Sequence, residues 1–177
     1  GAVIKATGLN RTVHRGRARV FNREEDAMSA VTRGEIKAGD VVVIRYEGPR
    51  ANGMPEMYFA TAIIASDPSL SSTTAVVTDG RFSGAAKGPA VGHVTPEALD
   101  GGPIALIEEG DLIELDIPER KLAVVGAAGR RLAADEVTRV LDERRGRWSP
   151  PSSRRNSGIL SLYSRVASGS DSGASLT

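Results

Sequence analysis

The residues best suited to chemistry lie between Ala75 and Leu106, where the apolar run AVVT leads into DGRFSGAAKGPAVGHV. One serine, Ser83, stands among Gly80, Gly84, Gly88 and Gly92. Glycines let the backbone turn its amides inward, and amides gathered around a hydroxyl form a cradle for an oxyanion or a carboxylate. No triad surrounds Ser83, because FSG is not the GxSxG of a nucleophile elbow and His14 and His93 show no pairing pattern with it. A serine in that setting becomes a base only through electrostatics, with loop amides and a nearby divalent cation stabilising its alkoxide. Glu47 and Glu56 are the carboxylates placed to reach that cation, and Glu56 is the stronger candidate. With no cysteine and two histidines, the chain has no disulfide or thiolate site and little capacity for zinc. A metal held here takes carboxylate oxygen, which favours a hard ion such as magnesium.

The elements that must position these residues read as strand, helix, strand. Val41 to Tyr46 (VVVIRY) is a β-branched run with the pattern of a strand buried on both faces. A loop, EGPRANG, leads to Pro55 and to a predicted helix from Met54 to Ala65. Thr74 to Thr78 forms the next strand. The two strands of such a unit are parallel, and ligands gather beyond their carboxyl ends, where both the Glu47 to Glu56 loop and the Asp79 to Gly88 loop emerge. Glu47, Glu56 and Ser83 are therefore expected in one crevice. Asp79 and Arg81 are expected to form a local ion pair that fixes the loop, while Met28 and Met57 belong to the core.

Elsewhere Val3 to Phe21 holds short β-prone pieces, and Asn22 is placed to cap a helix running to Gly34. Thr95, Pro96 and Glu97 open a short helix that stops at Gly101 and Gly102. IALI, LIELDI and LAVV read as strands of a meander, followed by a helix over 133–145. Parallel and antiparallel strands in one unit, with helices between some of them, predict a mixed sheet or a small barrel flanked by helices.

The 177 residues suit one domain with a tail: residues 1–148, then a Pro-, Ser- and Arg-rich extension over 149–177. GILSLYSRVA in that extension is apolar enough to pack on the domain or on a partner subunit. From Arg144 onward six Arg face one Asp, so the tail carries +5 and the remainder −4. That tail lacks the interleaved aromatics of a single-strand nucleic-acid binder, so no nucleic-acid partner is expected. No apolar run approaches a membrane span and no signal-peptide pattern opens the chain, so a cytoplasmic location and no membrane partner are expected.

The stretches HRGRARVFNREEDAMSAV, IKAGDVVVIRYEGP, NGMPEM, VVTDGRFSG, GHVTPEA and GGPIALIEEGD occur in this order. Together they resemble the C-terminal domain of the dihydroxy-acid and sugar-acid dehydratases, the family that includes 6-phosphogluconate dehydratase. The resemblance runs from GAVIKATG to YSRVASGSDSGA. It implies an α/β fold, a swivelling β/β/α domain built on a small mixed β-barrel flanked by helices. It also implies a hydro-lyase that removes water from a 2,3-dihydroxy acid to give a 2-keto acid, with Mg²⁺ and an iron–sulfur cluster as cofactors. In the family pattern the Glu of NGMPE, here Glu56, ligates Mg²⁺. The Ser of DGRFSG, here Ser83, takes the C2 proton, with Gly84 beside it at the substrate.

Many dihydroxy-acid members continue DGRFSGGT, whereas this chain has Ala85 and Ala86, so a hydroxyl facing the substrate carboxylate is missing. RANGMPEM is similar to the phosphogluconate branch, while RYEGP and GHV are similar to the amino-acid biosynthetic branch. The substrate is a sugar acid or a branched dihydroxy acid, with the sugar acid slightly favoured. The family carries its cluster cysteines and remaining Mg²⁺ ligands in an N-terminal domain, which is the expected partner of this cysteine-free chain; a homo-oligomer is also expected. A second reading is a non-catalytic stand-alone module of the same fold that binds an anion or carboxylate. The start at GAVIKATG, without an initiator Met, favours an excised C-terminal domain over that module.

Overall fold

The computed structural model describes residues 1–5, 12–84, 86, 88–152 and 157–176. At its centre lies β3 (Val41–Ile44), four apolar residues that are all buried. β2 (Val13–Phe21) runs parallel to it on one side, with Ala18 beside Val41 and Phe21 beside Ile44. β4 (Ala75–Thr78) runs parallel on the other side, with Val41 beside Ala75 and Ile44 beside Thr78. Parallel strands must be covered on both faces, which is why β3 and β4, the inner pair, are the uninterrupted buried runs VVVI and AVVT.

The sheet extends both ways from this centre. β5 (Ala90–Gly92) lies parallel to β4, and β1 (Val3–Lys5) closes that side antiparallel to β5. Beyond β2 follow β6 (Leu112–Asp116), β7 (Lys121–Ala127) and the short β8 (Arg130–Arg131), each antiparallel to its neighbour. The order is β1-β5-β4-β3-β2-β6-β7-β8. β2 serves both halves: residues 13–17 pair with β6 and residues 18–21 with β3. At Gly16 a Cβ would lie 2.0 Å from the Gly39 carbonyl oxygen, so only glycine lets the 38–39 turn pass there.

Alternation along the strands divides the core. Val41, Val43, Ala75, Val77 and Val91 point to one face, where Ile104, Ile113 and Leu115 join them. Val42, Ile44 and Val76 point to the other face. There α1 (Glu24–Thr32) contributes Ala27 and Ala30, α3 (Tyr58–Ser66) contributes Ala60 and Ile64, and Met57 packs between them, fully buried. α2 (Pro49–Asn52) is a single turn between β3 and α3. α4 (Ala134–Arg147) lies against β7. α5 (Ile159–Val166) packs on α2, with Leu160 against the backbone of Gly53.

The strand–helix–strand unit and its parallel pairing stand as read from the sequence, and the fold is α/β. Four details differ. Among the described residues the sheet is open, with β1 and β8 at its two edges, so the flanked barrel is a mixed sheet that does not close. IALI is not a strand: its first three residues lie in a 3-10 turn (Pro103–Leu106), opened by Pro103, whose fixed φ suits the first position of a helical turn. Pro49, not Pro55, is the proline in a helical first turn, and the helix predicted from Met54 starts at Tyr58. Asn22 does not cap α1; its Oδ1 accepts a hydrogen bond from Arg45 Nε at 2.6 Å, and Arg23 holds the cap position.

Candidate active site

The carboxyl ends of β3 and β4 are held together by Asp79, which is fully buried. Its Oδ1 accepts the Glu47 N–H at 2.9 Å; its Oδ2 accepts those of Tyr46 at 3.1 Å and Ala98 at 2.8 Å. Two segments distant in sequence, one at Tyr46 and Glu47 and one at Ala98, are thereby pinned to the residue where the Ser83 loop begins. Burial pushes the Asp79 carboxyl up to about 6 against the pull of these three amides. The expected ion pair with Arg81 does not form, since Arg81 Nε instead donates to the Met54 carbonyl at 2.9 Å.

A second buried carboxylate holds the loop that carries Glu56. Glu97 accepts the N–H groups of Arg50 at 3.1 Å and Ala51 at 3.0 Å, capping the amino end of α2 from 46 and 47 residues away. A Cβ on Gly48 would lie 2.4 Å from Glu97 Oε2, so glycine is required for the carboxylate to approach. Burial pushes Glu97 up to about 7, with the neighbouring charges of Asp79 and Asp100 adding to the rise. Neither role is legible locally, because each depends on which distant amides the fold delivers.

After α2 the chain turns through Gly53 (φ 70°) and Met54 (φ 54°) and then runs alongside the Ser83 loop. Glu56 and Arg81 form a parallel bridge, sealed by the Met57 N–H on the Arg81 carbonyl at 3.1 Å. This bridge sets Glu56 beside the strand that reaches Ser83 two residues later. Gly80, at the crossing, has no room for a side chain: a Cβ there would meet Glu47 and the Met57 methyl, each at 2.9 Å. Ser83 is half-buried and starts a turn in which its carbonyl accepts the Ala86 N–H at 3.1 Å. Glu56 and Gly84 are exposed.

Two of the three predicted site residues are thus brought to one edge. Glu47 is buried, takes a hydrogen bond from Asn52 Nδ2, and lines a separate pocket of about 190 Å³ with Glu24, Pro55 and Met57. Its place is that of a strand-end residue shaping the loop. A further cavity of about 790 Å³ is apolar, is lined by Ile4, Val91, Ile104, Ile113 and Val124 among others, and touches neither Glu56 nor Ser83. His93 sits at φ 55° and donates its backbone N–H to the Gly80 carbonyl at 2.8 Å. Ala85, one of the two alanines that replace the family's usual residues, lies outside the described residues.

Glu56 is an exposed hard-oxygen donor on a fixed backbone, which fits one ligand position of Mg²⁺. Among the described residues no three His, Cys, Asp or Glu side chains gather to hold a metal. An iron–sulfur cluster does not fit these residues, since no cysteine is present in the sequence.

An α/β domain that presents a serine and a carboxylate on an open edge fits one part of a larger catalytic protein. Residues 1–174 match the family described as dihydroxy-acid/6-phosphogluconate dehydratase C-terminal. The dihydroxy-acid dehydratase of Ignicoccus hospitalis is 49% identical across 99% of this chain, that of Geobacter sulfurreducens 48% across 98%, and that of Methanothrix thermoacetophila 45% across 99%. The chain belongs to the dihydroxy-acid/6-phosphogluconate dehydratase C-terminal family. It spans about 30% of the length of these relatives. Among the described residues no helix is long and apolar enough to cross a membrane.

Proposed function

We propose that this chain is the C-terminal domain of a hydro-lyase that converts a 2,3-dihydroxy acid to a 2-keto acid, with Ser83 as the base and Glu56 as a Mg²⁺ ligand. The observation that carries this reading is the Glu56–Arg81 bridge, which places the carboxylate and the serine loop side by side at the open edge. The names of the relatives move the substrate from a sugar acid towards a dihydroxy acid.

Ser83 removes the proton from C2, the C2–C3 double bond forms, and the C3 hydroxyl departs as hydroxide, which takes the proton from Ser83 and leaves as water. The resulting enol takes a proton at C3 and becomes the 2-keto acid, so the sum is loss of one water. Bound Mg²⁺ supplies positive charge that favours the serine alkoxide and the developing C2 oxygen anion. The Gly84 segment, with no side chain, lets the substrate approach the backbone closely. The cluster that the family uses belongs to a preceding domain, for which the remaining 70% of the relatives' length leaves room. Exposed Tyr58 and Phe59, at the start of α3 two and three residues after Glu56, and exposed Ile159 and Leu162 on α5 are the apolar surface that such a domain would cover.

The test grafts this chain in place of the matching segment of the Geobacter sulfurreducens relative. The graft is expected to dehydrate branched dihydroxy acids in preference to aldonic acids. Glu56→Gln in that graft is expected to raise the Mg²⁺ concentration needed for half-maximal turnover about tenfold or more, the loss typical when a metal's protein environment is disturbed. An unchanged metal dependence refutes the ligand role.

A further inference from the structure

The Ser83 loop is anchored at its start by Asp79, Gly80 and Arg81, and past Phe82 its backbone makes the Ser83–Ala86 turn. A side chain from the edge strand reaches this turn. Lys5, the last residue of β1, donates from Nζ to the Gly84 carbonyl. Its own backbone is fixed opposite Ala90, where the loop rejoins the sheet. Lys5 therefore spans the loop, with its stem on the edge strand and its charge one peptide from Ser83.

We propose that Lys5 is a positioning residue for Ser83, holding the Ser83–Gly84 turn and placing an ammonium charge beside the serine. This rests on the reading of Ser83 as the base. Among the described residues the ammonium pairs with no carboxylate, so its field is not cancelled locally. A carbonyl oxygen satisfies one of its three donors and leaves the charge intact. A cation in that place favours an anionic oxygen at Ser83 for the same reason that a bound metal does.

Two measurements test the proposal. In the graft, Lys5→Met keeps the length of the stem and removes the charge; kcat is expected to fall about tenfold or more with KM within about threefold, as for a base moved slightly off its line. Lys5→Arg is expected to restore most of the lost kcat. Unchanged kcat in Lys5→Met, or a rise in KM alone, overturns the proposal. In the 177-residue chain itself, Lys5→Met is expected to speed amide hydrogen exchange over residues 80–88 about fivefold or more while Val41–Ile44 are unaffected. Equal exchange over the loop overturns the positioning role. If grafts with and without Ser83→Ala turn over alike, the reading of Ser83 fails, and the exchange measurement alone then decides whether Lys5 holds the loop.

Discussion

Replacing Glu97 by Gln should change how the stability of this chain depends on pH. Glu97 is 1% exposed and caps α2, and burial raises its pKa from about 4.5 in the unfolded chain to about 7 in the folded one. Below about 4.5 both states are protonated and the group has no effect on the folding equilibrium. As pH rises to about 7 the unfolded chain gives up the proton while the folded chain keeps it, so stability falls across that window. At about 1.4 kcal/mol per pH unit, the full loss by pH 8 is about 3 kcal/mol. Asp79, raised to about 6 by its own burial, acts in the same direction and remains in the variant. Urea unfolding at pH 5 and pH 8 measures the effect. Wild type is expected to lose about 2.5 kcal/mol more between these two pH values than Glu97→Gln does, the first part of the loss being complete by pH 5. At pH 5 the variant should sit within about 1 kcal/mol of wild type, because the amide still accepts one of the two N–H groups. Equal pH slopes in the two proteins would refute the assignment of a buried carboxyl whose pKa is raised at this cap.

Other perturbations probe the parts that support the site. Arg144 donates to buried Asp111, at 2.9 Å for the Nη2–Oδ1 contact, and to the Leu106 carbonyl at 3.0 Å. Arg144→Met strands that carboxylate and should cost about 3 to 5 kcal/mol, a drop in Tm of about 10 °C by calorimetry. At Gly53, φ is 70° and a Cβ would lie 2.7 Å from the Leu160 carbonyl oxygen. Gly53→Ala should cost about 1 to 3 kcal/mol and free α5 from α2, seen as faster proteolytic release of the segment that carries α5.

The parallel core was legible because burial on both faces writes itself into sequence as uninterrupted runs such as VVVI and AVVT. That the segments carrying Glu56 and Ser83 run side by side was legible for a related reason: both loops leave parallel strands at one edge, whatever their detailed course. The start of α3 was not legible, since two prolines were available and only the fold decides that Pro49 and not Pro55 enters a helical turn. IALI misled because four apolar residues have no period that separates a strand from a 3-10 turn. Asp79 misled because adjacency in sequence suggests an ion pair with Arg81. The amides it serves come from Tyr46, Glu47 and Ala98, up to 33 residues away. Closure of the sheet depends on whether two edge strands meet, and nothing within either strand encodes that.

The central claim is that Ser83 removes the C2 proton, and its most direct test is turnover of a 2,3-dihydroxy acid by the graft carrying Ser83→Ala. The account predicts that kcat falls about 10²- to 10⁴-fold, the range for loss of a general base, while KM stays within a few-fold of wild type. Wild-type turnover in that variant would contradict it.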